Sequence, residues 1–233
     1  GVIKSHFDLY YWVQEEHPDI IIQLFDAWVI GHTWIQKDSV PVLCYNPVDS
    51  THICRNFKES CKFSSLHVAM SPHAQKNFNQ HGLQPNIYIP HCYSSAFKPI
   101  DKAYARKSIG IPADAFVFGL IGTNLTYRKN IPQQLYAFKK FLERTGARNA
   151  YLYLHSALYE ALSTSYSLSY LIDQLDLNDR IIYTHQQKYL LNNIPESYMI
   201  KLYNSIDVLL CCSLGEGFGI PIIEAQACGK PVI

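Results

Sequence analysis

Neither sign of charge is in excess in this chain. Across 233 residues, 20 Lys and Arg stand against 19 Asp and Glu, a formal net charge of +1. Such a balance gives no chain-wide electrostatic footprint for nucleic acid or for an anionic membrane surface. Long apolar runs are also missing. A membrane-spanning helix needs roughly 18 or more, and the best candidate, "DIIIQLFDAWVIG", is interrupted by Asp26. The opening "GVIKSHFDLYYW" lacks the charged and apolar regions of a secretory leader. There is no C-x-x-C pair among seven cysteines, an odd count that does not suit a disulfide framework. His52, Cys54, Cys61 and His67 match no common zinc-ligand spacing. Internal repeats and low-complexity tracts are absent as well. These absences favour a reduced, cytoplasmic location, with peripheral membrane contact left open.

What the sequence does have is apolar residues in short blocks. At 48% hydrophobic, it can fill a core of ordinary globular type. The blocks alternate with amphipathic stretches, the pattern of an α/β fold with parallel sheets. The first half predicts a helix over 7–16 and strands at 19–25, 40–45, 66–71 and 86–90. Between the last two, Pro72 opens a helix that Gly82 ends. A polar stretch with two prolines, Pro99 and Pro112, follows, and a domain boundary is placed near 97–101, giving domains 1–100 and 101–233. The second half predicts strands at 116–122, 150–154, 180–184 and 207–213. Its helices lie from Pro132 to Gly146, over 166–175, from Pro195, and from Pro221 to Cys228. Both domains read as incomplete, since the chain starts in mid-alternation and stops on the apolar Pro231-Val232-Ile233.

The most informative stretch is "CCSLGEGFGIPIIEAQACGKPVI". Gly215, Gly217 and Gly219 let a loop bring bare backbone close to a ligand. Pro221 suits the first turn of a helix, whose free amides then point back at that loop and attract anions. In open α/β sheets the ligand crevice lies beyond the carboxyl ends of the strands, where this loop falls. Glu216 and Glu224 flank it. A carboxylate beside a phosphate would repel it, so each glutamate is expected to accept hydrogen bonds from hydroxyls. A nucleotide-diphosphate sugar has that layout: sugar at Glu216, pyrophosphate at the amides, ribose at Glu224.

"EGFGIPIIEAQACGKPV" closely resembles the E-x7-E signature of retaining glycosyltransferases with the two-domain GT-B fold, the GT4 family above all. "YTHQQ", "YMIKLYNSIDVLLCCS", "IGTNLTYRKN", "LHVAMSPHAQKNFNQHG" and "IPHCYSSAFKP" are similar to family segments in the family's order. The resemblance implies two Rossmann-like domains facing each other across a cleft. It implies retaining sugar transfer from a nucleotide-sugar donor, such as a UDP- or GDP-sugar, to a carbohydrate, lipid-linked or protein acceptor, without a metal or other cofactor. Carried over by position, Arg128 and Lys129 face the donor phosphates, and Glu216 holds the donor sugar with Gly217, Phe218 and Gly219. Glu224 binds the ribose, and the base lies around Thr184 and His185. Thr123 opens the phosphate loop where many relatives have an arginine. In the acceptor domain "YNPVDS" stands where many relatives place a histidine, so Asp49 and Tyr45 are the acceptor-side candidates. Other readings of the resemblance are a nucleotide-sugar-binding protein without transfer activity and a GT-B epimerase or phosphorylase.

Overall fold

Strands as apolar as those of the second half are stable only inside a parallel sheet covered on both faces. The computed structural model, which describes residues 6–26, 40–62, 64–124, 127–159 and 165–233, contains two parallel four-stranded sheets. The chain divides into two units. One is Gly1–Cys92 with Glu216–Phe218; the other is Tyr93–Gly215 with Gly219–Ile233.

The first unit runs α1 (His6–Glu16), β1 (Ile21–Leu24), β2 (Val42–Asn46), α2 (Arg55–Ser60), β3 (Leu66–Ala69), α3 (Pro72–Gln80) and β4 (Asn86–Tyr88). Its strands lie in the order β1-β2-β3-β4, all parallel. Ser71 caps α3 by accepting the Ala74 amide at 3.1 Å, ahead of Pro72 in the first turn. Ala74 and Phe78 of that helix pack with Val48, Ile53 and Phe57 in the core. The short helix α2 was not foreseen; only Phe57 of its residues is buried, too little for a periodic signal.

The second unit begins with α4 (Lys102–Ile109), β5 (Phe116–Ile121), a 3-10 turn at Tyr127–Lys129, α5 (Ile131–Thr145) and β6 (Ala150–His155). It continues through α6 (Leu168–Gln174), β7 (Ile181–Tyr183), α7 (Gln186–Leu190), α8 (Glu196–Ser205), β8 (Val208–Leu210) and α9 (Ile220–Ala227). The sheet order is β7-β6-β5-β8, again parallel, and Val232 bridges to Leu209 beyond β8. Winding therefore runs outward from β5 to β7 and then returns to place β8 on the other side. Between β5 and β8 the direction of winding switches, and an open α/β sheet binds ligands at the carboxyl ends of such a pair.

Two departures from expectation have local causes. The polar stretch expected around the boundary contains α4, which buries only Ala105 and Arg106. Arg106 is 2% exposed, donates to the Ser205 and Ala113 carbonyls, and pairs with Asp207 at 2.8 Å. The strand expected over 207–213 ends at Leu210; beyond it the Cys211 amide donates to the Ile233 carbonyl at 2.7 Å and the Cys212 carbonyl accepts from Asn130 Nδ2 at 3.2 Å. No thiol is in a disulfide, but only Cys44, Cys61 and Cys228 are buried; Cys211 is half-buried, and Cys54, Cys92 and Cys212 are exposed.

Candidate functional site

Amide side chains stitch together the loops at the carboxyl edge of the second sheet. After β5, buried Asn124 donates to the carbonyls of Ala157 (3.0 Å) and Tyr166 (2.7 Å) and accepts the Tyr166 amide (3.0 Å). Gln186, after β7, accepts the Leu158 amide at 2.8 Å and donates to the Ser156 and Thr184 carbonyls. Across the switch point, Arg128 Nη1 donates to the Gly215 carbonyl at 2.7 Å and the Leu214 amide donates to the Arg128 carbonyl at 2.8 Å. Asn130, in the left-handed region at φ 52°, adds its bond to Cys212. The edge is thereby fixed in advance of any ligand, the condition for electrostatic recognition without reorganisation.

Arg128 and Lys129 share the 3-10 turn. The Lys129 stem runs beside Gly122, where a Cβ would lie 3.6 Å from Lys129 Cδ. Arg128 thus has a structural partner that sequence reading missed, the Gly215 carbonyl just ahead of Glu216. Thr123 is exposed and hydrogen-bonds Tyr189, whose hydroxyl burial pushes up while that bond works against the shift. Thr184 is fully buried: its hydroxyl meets His155 Nδ1 at 2.7 Å and Tyr153 at 3.2 Å, and Tyr153 in turn meets Tyr198. Its side chain is therefore occupied, and a ligand here would meet backbone and neighbours. His185 is exposed and caps α7 through Nδ1 on the Lys188 amide at 3.5 Å.

Beyond β8, Gly219 alone of the three loop glycines takes a positive φ, 84°, as N-cap of α9; Gly215 and Gly217 do not. No side chain caps α9, and Pro221 occupies its first turn. A helix end left so carries about half a positive charge and uncapped amides for an anion. Glu216 is half-buried in the loop, and Gly217 and Phe218 group with it in the first unit. Glu224, in the second turn of α9, is half-buried, and its Oε2 accepts the Tyr203 hydroxyl at 2.7 Å. Burial raises its pKa; the Tyr203 bond opposes this, and Glu196 adds to it.

In the first unit, Asp49 is exposed just past β2. Tyr45 donates to the Ile89 carbonyl at 3.0 Å and stacks edge-on against His91 with centroids 5.7 Å apart. Among the described residues no group of three His, Cys, Asp or Glu could hold a metal ion, and no helix is long and apolar enough to cross a membrane. Sequence reading missed Asn124, Gln186, His155 and Tyr203. Each has at least one partner 21 or more positions away, as with Tyr203 and Glu224 or, at 42 positions, Asn124 and Tyr166, so no periodicity announces them.

The fold is that of two-domain GT-B glycosyltransferases. Sucrose-phosphate synthase from Thermosynechococcus elongatus matches 97% of this chain with 58% of its own (TM-score 0.73, 18% identity). A glycosyltransferase from Rickettsia africae matches all of this chain with 63% of its own (TM-score 0.63, 17% identity). Residues 101–233 match the family glycosyl transferases group 1, and the chain belongs to that family. An uncharacterized glycosyltransferase of Methanocaldococcus jannaschii is 31% identical over 136 residues, 57% of this chain and 30% of that protein. A D-inositol 3-phosphate glycosyltransferase of Acidothermus cellulolyticus is 26% identical over 166 residues, 69% of this chain and 35% of that protein. The chain spans about a third of the length of the curated relatives it matches.

Proposed function

We propose that this chain is part of a cytoplasmic retaining glycosyltransferase that moves a sugar from a nucleotide-diphosphate sugar to an acceptor hydroxyl without a metal. One observation carries the reading: at the switch point between β5 and β8, the turn bearing Arg128 and Lys129 is tied to the loop that runs into the uncapped end of α9. An anion-binding helix end, two cations and two glutamates then follow one another along a donor-shaped sequence.

In this reading the departing diphosphate gathers negative charge while the anomeric carbon becomes cationic. Arg128, Lys129 and the α9 amides stabilise the diphosphate, the task a metal performs elsewhere. Glu216 orients the sugar hydroxyls, with Gly217, Phe218 and Gly219 offering amides, and Glu224 takes the ribose. Thr123 lies beside the phosphates, and backbone around Thr184 and His185 meets the base. Asp49 and Tyr45 serve the acceptor, a carbohydrate, lipid-linked or protein hydroxyl. The test is a thermal-shift screen of UDP-, GDP- and ADP-sugars. A donor at 100 times its dissociation constant stabilises by about 2.7 kcal/mol. With the donor found, Glu216→Gln lowers turnover about 100-fold while donor still binds. Absence of a shift with every donor overturns the reading.

A further inference from the structure

Glu224 ends in a soft torsion. Rotation of a glutamate carboxylate about its last bond is broad and two-fold, so an exposed carboxylate presents either oxygen in many directions. Tyr203 removes that freedom. Its side chain is fully buried, and its ring packs edge-on against buried Phe97 with centroids 5.7 Å apart. The phenol therefore cannot follow the carboxylate; the carboxylate must come to it. Their hydrogen bond is 2.7 Å long and charge-assisted, hence strong and directional. Among the described residues the Glu224 side chain has no other hydrogen bond, so Oε1 is the oxygen left for a ligand.

We propose that Tyr203 is a positioning residue for donor recognition. By holding Oε2 of Glu224, it aims Oε1 at the vicinal ribose hydroxyls of the bound nucleotide. This rests on the donor reading above. It adds a residue of α8 that touches no substrate and yet sets the geometry of the hydrogen bond to the ribose. The arrangement also accounts for a buried tyrosine hydroxyl in an otherwise apolar cluster with Leu202, Ile206, Leu209 and Ala225, since phenylalanine would fill the same space without a polar group to satisfy.

The experiment is calorimetric binding of UDP, GDP and ADP to the full chain, followed by the 2′,3′-dideoxyribose form of whichever binds. Tyr203→Phe should weaken the ribose nucleotide about tenfold and leave the dideoxy nucleotide unchanged. Glu224→Gln should do the same, and the double variant should lose little more than either single one. In turnover, Tyr203→Phe should raise donor KM and leave kcat within about twofold. Equal weakening of both nucleotides, no weakening of either, or a loss confined to kcat overturns the role of Tyr203. The donor reading fails separately: the unmodified chain would then bind none of the three nucleotides. If it binds one without preferring ribose to dideoxyribose, Glu224 is not at the ribose and the proposal falls with that assignment. Glu224→Gln leaves Tyr203 in place, so the ribose comparison survives even if Tyr203→Phe melts early.

Discussion

His155 closes β6 with its imidazole under Tyr189, ring centroids 5.1 Å apart, and with Nδ1 on the Thr184 hydroxyl. Burial lowers its pKa to about 4. At neutral pH it is uncharged in the folded and unfolded chain alike. As pH falls through 6.5 the unfolded imidazole takes up a proton that the folded one refuses until about pH 4. Stability is therefore full above 6.5 and lost on acidification. The slope is 1.36 kcal/mol per pH unit for one proton, so about 2 kcal/mol is lost by pH 5. Urea midpoints at pH 7 and pH 5 measure this, and His155→Asn should flatten the difference. A neutral imidazole adds no positive charge at this edge of the sheet.

The elements depend on buried polar groups as much as on apolar faces. Asn124 joins the loops after β5 and β6 through three hydrogen bonds. Asn124→Ala leaves those backbone groups without their partner, and we expect a loss of about 2 kcal/mol in urea unfolding, from about 1 kcal/mol per net bond less relaxation. Asp207 docks α4. Burial works to raise its pKa, but the Lys102 bond, the Val117 amide and the Arg106 and Lys102 charges overbalance it and hold the carboxyl low. Asp207→Ala strands the buried Arg106 guanidinium. It should cost about 3 kcal/mol and speed amide exchange along α4. Gly119 of β5 faces Ile206, whose Cδ1 would sit 2.6 Å from an added Cβ. Gly119→Ala should therefore destabilise by about 1–3 kcal/mol, read from the same unfolding curves.

For the molecule as a whole, the expected signature of donor binding is regional. Hydrogen exchange should slow in the loops after β5, β7 and β8 and in the first turn of α9, and change little in α4 and at the far ends of the strands. Under the proposed mechanism, in which Arg128, Lys129 and helix amides meet the diphosphate charge, transfer should also persist in excess EDTA. A collapse of activity in EDTA, restored by a divalent cation, would contradict the metal-independent mechanism.

Much of this was legible from local pattern. Alternating apolar blocks gave both parallel sheets, and Gly82, Gly146 and Gly219 sit at helix ends with φ of 70°, 64° and 84°. The E-x7-E stretch marked the loop and helix at the switch point because glycine, proline and carboxylate chemistry acts over a few residues. Other features required the fold. α4 has no apolar stripe and is held by Arg106 on Asp207, 101 positions away. Thr184 looked available and is sealed under His155 and Tyr153 because β6 and β7 are neighbours in the sheet. Tyr203 reads as one of 17 tyrosines until α8 packs on α9. Sequence alone determined most of the strands and the helices with an apolar face, though not α2 or α4, because those rest on short-range sterics and periodicity. Tertiary structure decided which side chains are buried, which carboxylate oxygen stays open and which histidine stays neutral. Burial and partnership depend on what the rest of the chain brings alongside.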